Sequence, residues 1–175
     1  MIAIASRLYG NLKHGFGYLP IVLAVVCTLM SAPALMAAEQ EPLLEVEPAE
    51  GGAVNYDLTR LDRLPQVVIT TSTIWTVGKI RFSGPTLKQV LADAGIRHGA
   101  IRLSALNDYV IDMTVEELGD DAPIVATRMN GHTFGVRDNG PLWLIYPFDQ
   151  NEQFTNDQIF AKSIWQLVSI RVTEP

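Results

Sequence analysis

The sequence predicts a mixed α+β domain in which strands outnumber helices, and three observations carry that expectation. Apolar and polar residues alternate through two neighbouring stretches, Ile101 to Ala105 and Tyr109 to Met113. A nearly continuous apolar run spans Leu142 to Pro147, and one amphipathic helix follows a β-branched stretch earlier in the chain.

The N-terminus is a different kind of sequence. Arg7, Lys13 and His14 occur there without any acid, an apolar run follows from Leu19 to Met30, and small residues surround Ala37 and Ala38. A basic head, an apolar core and a small-residue end are the parts of a secretory signal peptide, with cleavage expected after Ala38. A retained anchor needs about 20 apolar residues, and Pro20 and Pro33 bracket a shorter stretch. Cys27 follows Val26, which does not suit a lipid anchor. The chain therefore reads as a signal peptide over 1–38, a lead-in segment over 39–65 and a globular domain over 66–175. The expected location is periplasmic or secreted, with no membrane insertion after cleavage.

Removing residues 1–38 of the 175 leaves 137, enough for one hydrophobic core. Loss of Arg7 and Lys13 takes the formal charge from −6 to −8. Such a surface repels nucleic acid and anionic lipid. Cys27 is the only cysteine, so the mature domain is expected to lack disulfides and thiolate ligands.

Glu39 to Gly52, acidic and containing Pro and Gly, reads as a tail or lead-in strand outside the core. Order is expected to begin near Gln66, where Val67 to Thr73 form a β-branched strand leading into Trp75. A helix starts at Gly84-Pro85, runs through Leu87, Val90, Leu91 and Ala94, and stops at Gly95. Asn107-Asp108 turns the alternating stretches into a hairpin, and Thr114 with Glu117 forms a capping box over a short helical turn to Leu118. Asn130-Gly131 is a type I′ turn signal between Ile124–Met129 and His132–Val136, which predicts a second hairpin. Leu142 to Pro147 suits a strand buried on both faces; Phe148 to Asp157 is loop-like, and Ile164 to Val172 closes the chain as a strand.

Little here supports catalysis. His98 and His132 both fall at turns, and neither has a second histidine at metal-pair spacing. No nucleophile elbow, phosphate loop or dinucleotide fingerprint is present. Glu116-Glu117 and Asp120-Asp121 read as solvated or capping carboxylates. No catalytic residue and no metal site are expected.

The order of pieces nevertheless carries a resemblance. Phe82-Ser83-Gly84-Pro85-Thr86-Leu87 with Val90-Leu91 and Gly95 comes first, then Asn107-Asp108-Tyr109, then Ile124-Val125-Ala126 with Asn130-Gly131. Gly140 to Pro147 and Lys162-Ser163-Ile164-Trp165 complete it. From about Val67 to Val172 the chain resembles the oxidoreductase molybdopterin-binding domain of the sulfite oxidase family. That resemblance implies a mixed α+β core around a molybdenum-bound pterin, with a cysteine ligand near its start and basic residues on the pterin phosphate.

The chain departs from that pattern chemically. Thr70 to Thr73 contain only hydroxyls where the thiolate would be expected, and a hydroxyl is a poor ligand for a metal that selects soft sulfur. Trp143 stands where arginine is common, and Phe148 follows Pro147 in place of glycine. Arg7 and Lys13, separated by five residues, do not make a twin-arginine signal. The expectation is a domain that keeps the fold without the molybdenum chemistry and binds a small ligand or a periplasmic or membrane protein partner. A genuine molybdopterin-dependent oxidoreductase is the alternative. By the resemblance, Trp75, Asn107, Tyr109, Arg128, Asn130, Arg137 and Trp143 form the ligand face, with no cofactor expected or, in the alternative, molybdopterin.

Overall fold

A computed structural model describes residues 41–173. The predicted signal peptide lies outside these residues. Among them, no helix is long and apolar enough to cross a membrane.

The larger sheet begins earlier than the sequence suggests. Strand β1 (Leu44–Glu47) alternates buried Leu44 and Val46 with exposed Glu45 and Glu47, and β2 (Val54–Tyr56) pairs with it antiparallel. Helix α1 (Leu58–Arg63) follows, capped by Asp57, whose carboxylate accepts from Arg60 N at 2.6 Å, and it buries Leu61. Tyr56 donates its hydroxyl to Val90 O at 3.2 Å and to Asp93 at 2.8 Å, which ties this segment to the helix beyond. Residues 44–63 thus belong to the core and are not a lead-in outside it. Pro42, Pro48 and the acids obscured a strand only four residues long.

The next two strands, β3 (Val67–Ser72) and β4 (Lys79–Gly84), form an antiparallel pair. Gly84 ends β4 and does not begin the helix. Its backbone lies so close to the following layer that a Cβ would sit 1.9 Å from Val125 O. Helix α2 (Leu87–Asp93) starts one residue after its cap Thr86, which exchanges bonds with Gln89 in a capping box, so Pro85 precedes the helix. Its end has the Schellman form expected of Gly95: Gly95 N donates to Ala92 O and Ile96 N to Leu91 O, with φ of 85° at the glycine.

Strands β5 (Ala100–Ala105) and β6 (Val110–Thr114) make the expected hairpin, with Asp108 at φ 64° in its turn. A short 3-10 turn over Val115–Glu117 follows, where Thr114 N donates to the Glu117 carboxylate at 3.1 Å. Next come β7 (Ile124–Ala126) and β8 (Arg128–Met129). Asn130 and Gly131 both take positive φ, and Met129 and His132 exchange backbone bonds across them, as a type I′ turn requires. The second hairpin stops there. His132–Val136 forms no strand, because the chain turns through a 3-10 turn at Val136–Asp138; β8 pairs with β4 instead.

Strand β9 (Trp143–Ile145) is buried throughout and pairs with β7. Helix α3 (Asp157–Lys162), capped by Asn156, begins at the last residue of the segment expected as loop and fills the stretch after it. The final strand β10 (Leu167–Val172) lies parallel to β1 and antiparallel to β5, giving a five-stranded sheet ordered β2-β1-β10-β5-β6. The arrangement is strand-rich and mixed, an α+β fold. One hydrophobic cluster packs α2 against the five-stranded sheet. A second joins Ile69, Phe82, Ile124, Ala126, Trp143 and Ile145, with Trp75 and Trp165 at its margin.

Candidate functional site

The loop between β3 and β4 presents Trp75. Its backbone is held by Thr73, whose hydroxyl oxygen accepts from Trp75 N at 3.1 Å and pairs with the Thr76 hydroxyl at 2.8 Å. Trp143, from β9, is fully buried against it, and its indole N–H donates to Ser163 O at 3.1 Å. Trp165 meets both rings. The three centroids lie 5.6 to 6.2 Å apart with interplanar angles from 61° to 90°, the edge-to-face packing that suits aromatic quadrupoles. Phe160, on α3, stands at 89° to Trp75, 6.0 Å away.

From the other side the β5–β6 turn contributes Asn107 and Tyr109. The Asn107 side-chain oxygen accepts from Tyr109 N at 3.3 Å, and the Tyr109 hydroxyl donates to Ala161 O at 3.0 Å near the C-terminal end of α3. Between these walls lies an open cleft of about 300 Å³, lined by Trp75, Asn107, Tyr109, Phe160, Ser163 and Trp165 among others. Its surface is mainly apolar. It can take a flat apolar molecule between aromatic faces, with the Asn107 amide as a polar contact.

Trp75, Asn107 and Tyr109, three of the residues expected on the ligand face, meet at this cleft. Trp143 stands behind them as its floor. Arg128 lies elsewhere: its guanidinium grips Asp62 through two bonds of 2.5 and 2.7 Å and reaches Thr127 at 3.1 Å. That grip holds the Asp62 carboxyl below its usual range and occupies the fork expected to hold an anion. The Asn130 side-chain oxygen accepts from Arg81 N at 3.1 Å, and Arg137 sits in the exposed 3-10 turn; neither lines the cleft. Phe160 and Trp165 were missed as site residues. Trp165 stood in the quoted motif, and the Asn156 cap with apolar Ile159-Phe160 was the available sign of α3.

Three of the four hydroxyls at the expected metal-ligand position, those of Thr71, Ser72 and Thr73, are already engaged. Thr71, buried, accepts from Asp149 N at 3.1 Å and donates to Ser72 O at 3.1 Å; Ser72 donates its hydroxyl to Asp149 at 2.5 Å and its N–H at 3.0 Å. Bonds from Ser72 and Lys79 hold the Asp149 carboxyl below its usual range. These are hard oxygen groups, and cysteine does not occur among the described residues. The donor set does not fit a thiolate-ligated molybdenum centre.

No family model and no curated protein matches the chain. Among solved structures, the chain is similar in fold to the sulfane dehydrogenase SoxCD from Paracoccus pantotrophus, with a TM-score of 0.55 at 13% identity over 75% of this chain. The match spans 38% of the SoxCD chain, so the likeness is to part of a longer protein and concerns fold alone.

Proposed function

We propose that this chain is an exported, sulfite-oxidase-like domain that binds a flat, apolar small molecule in the cleft between Trp75, Tyr109, Phe160 and Trp165, without molybdenum redox chemistry. The observation that carries this reading is the aromatic lining itself, open to solvent and provided by three separate segments of chain. The engaged hydroxyls at Thr71 and Ser72 and the fold likeness to a redox enzyme support a binding module derived from a cofactor domain.

A direct readout exists, because the chain's three tryptophans, Trp75, Trp143 and Trp165, all belong to this cluster. Titration of the exported protein with 2-naphthol should quench intrinsic fluorescence saturably, and Tyr109→Ala should abolish that response. Molybdenum cofactor should leave the melting midpoint unchanged. A native-state ligand at a hundredfold excess over its Kd would stabilise by about 2.7 kcal/mol, so cofactor-induced stabilisation with one molybdenum per chain would establish the oxidoreductase instead.

A partner protein filling the same cleft is a second reading, favoured by apolar side chains on the loops that carry it: Ile74 (65% exposed), Val77 (97%) and Leu106 (56%). It predicts no response to 2-naphthol and co-purification of a partner that Leu106→Glu releases.

A further inference from the structure

A second cavity, of about 500 Å³, opens on another face of α3. Ile159 and Lys162 of that helix line it, whereas Phe160 and Ala161 line the aromatic cleft. Its wall also includes Met113 on β6, Glu117, the Asp120-Asp121 loop, Tyr146 and Phe154, with the Gln150 and Gln153 amides beside them.

Tyr146 sets this cavity apart. The side chain is only 5% exposed, it packs on Phe154 with centroids 5.9 Å apart, and its hydroxyl has no hydrogen-bond partner among the described residues. That oxygen is not sealed in the core either, and Tyr146 is one of the residues that line the cavity. A polar group carried to the edge of a core without a protein partner is expensive unless water or a ligand satisfies it.

The charges around it select a sign. Lys162 is paired with Glu117, and Asp120 with Lys88 at 2.7 Å. Asp121 is exposed and has no ion-pair partner among the described residues. With Lys162 paired to Glu117 and Lys88 to Asp120, the charge left unpaired in the lining is the Asp121 carboxylate, which opposes an anion and favours a cation. Burial and the Glu117 charge push the Tyr146 phenol upward, which keeps it a neutral oxygen able to accept a hydrogen bond. Met113, Phe154 and Ile159 supply apolar wall.

We propose that this cavity binds a small organic ammonium ion, its apolar body against Phe154 and Ile159, its ammonium donating to the Tyr146 hydroxyl and drawn by Asp121. The cavity shares α3 with the aromatic cleft but uses different residues of it, and comparison of variants on the two sides separates them. Calorimetric titration of the exported protein compares hexylamine with 1-hexanol and hexanoate, which share its body and differ in charge. Hexylamine should bind at least tenfold more tightly than either. Tyr146→Phe, which keeps the packed ring, should weaken it about tenfold, as loss of a hydrogen bond to a charged group does. Asp121→Asn, at an exposed position, should weaken it severalfold and carries the test by itself if Tyr146→Phe does not fold. Trp165→Ala should leave it unchanged. Equal binding of the three compounds, or binding lost with Trp165→Ala and kept in Tyr146→Phe or Asp121→Asn, would overturn the proposal.

Discussion

The aromatic cleft and the acidic cavity share α3 as a wall, yet they are built on different foundations. The cleft rests on Trp143, a fully buried ring whose indole N–H is bonded to Ser163 O, so its shape and the packing of the second hydrophobic cluster are one thing. The acidic cavity is framed at its rim by ion pairs between partly exposed side chains, Glu117 with Lys162 and Lys88 with Asp120. Packing energy is large and insensitive to pH, while such pairs are individually weak and titrate. Binding in the cleft should therefore be inseparable from stability. In the cavity the two should come apart.

The largest test of that contrast removes the cleft floor. Trp143→Ala should cost about 3 to 5 kcal/mol in denaturant unfolding and should abolish 2-naphthol binding, although Trp143 is not itself a lining residue. A cost below about 1 kcal/mol would mean that the floor is not part of the core. A middle-sized effect is expected at Tyr109→Phe, which deletes the hydroxyl bonded to Ala161 O and should cost about 1 kcal/mol. Amide hydrogen exchange should accelerate over residues 157–162; unchanged exchange there would show that α3 is not held from the cleft side.

The smallest effect belongs to the cavity rim. The bond from Lys162 holds the Glu117 carboxyl below its usual range. A depressed folded pKa contributes stability above the unfolded value and loses it as pH falls through the folded one. Glu117→Gln should accordingly lower stability at neutral pH by under about 1 kcal/mol and flatten the acid limb of the stability profile below about pH 4.3. An identical acid limb in the variant would remove Glu117 from the account.

Much of the scaffold was legible because its signals are local. The apolar spacing from Leu87 to Ala94, the Thr114–Glu117 box, the Asn107-Asp108 turn and the buried Leu142–Pro147 run each need only a few neighbouring residues, and each is found in place. The last residue of β4, Gly84, reads as the start of the helix because Gly84 and Pro85 also fit that role. What decides the matter is Val125 O, some forty residues away and invisible in sequence. Long-range pairing likewise fixed the fate of Arg128: Asp62 captures it across 66 positions. Trp75, Asn107 and Tyr109, expected together through the resemblance, line one cleft. Phe160 joins them because a six-residue helix, too short to show a period, turns it inward.

The position of β10 has a consequence for how the domain is made. Because that strand lies between β1 and β5, a nascent chain that has not yet produced residues 167–172 holds the larger sheet as two separate ribbons, β1-β2 and β5-β6. Two-stranded ribbons are marginal in water. The joining strand must pair in parallel with a segment some 120 residues upstream, a slow closure of the kind that raises contact order. The larger sheet therefore cannot lock until residues 167–172 have been made, however early the β1-β2 and β5-β6 ribbons are complete.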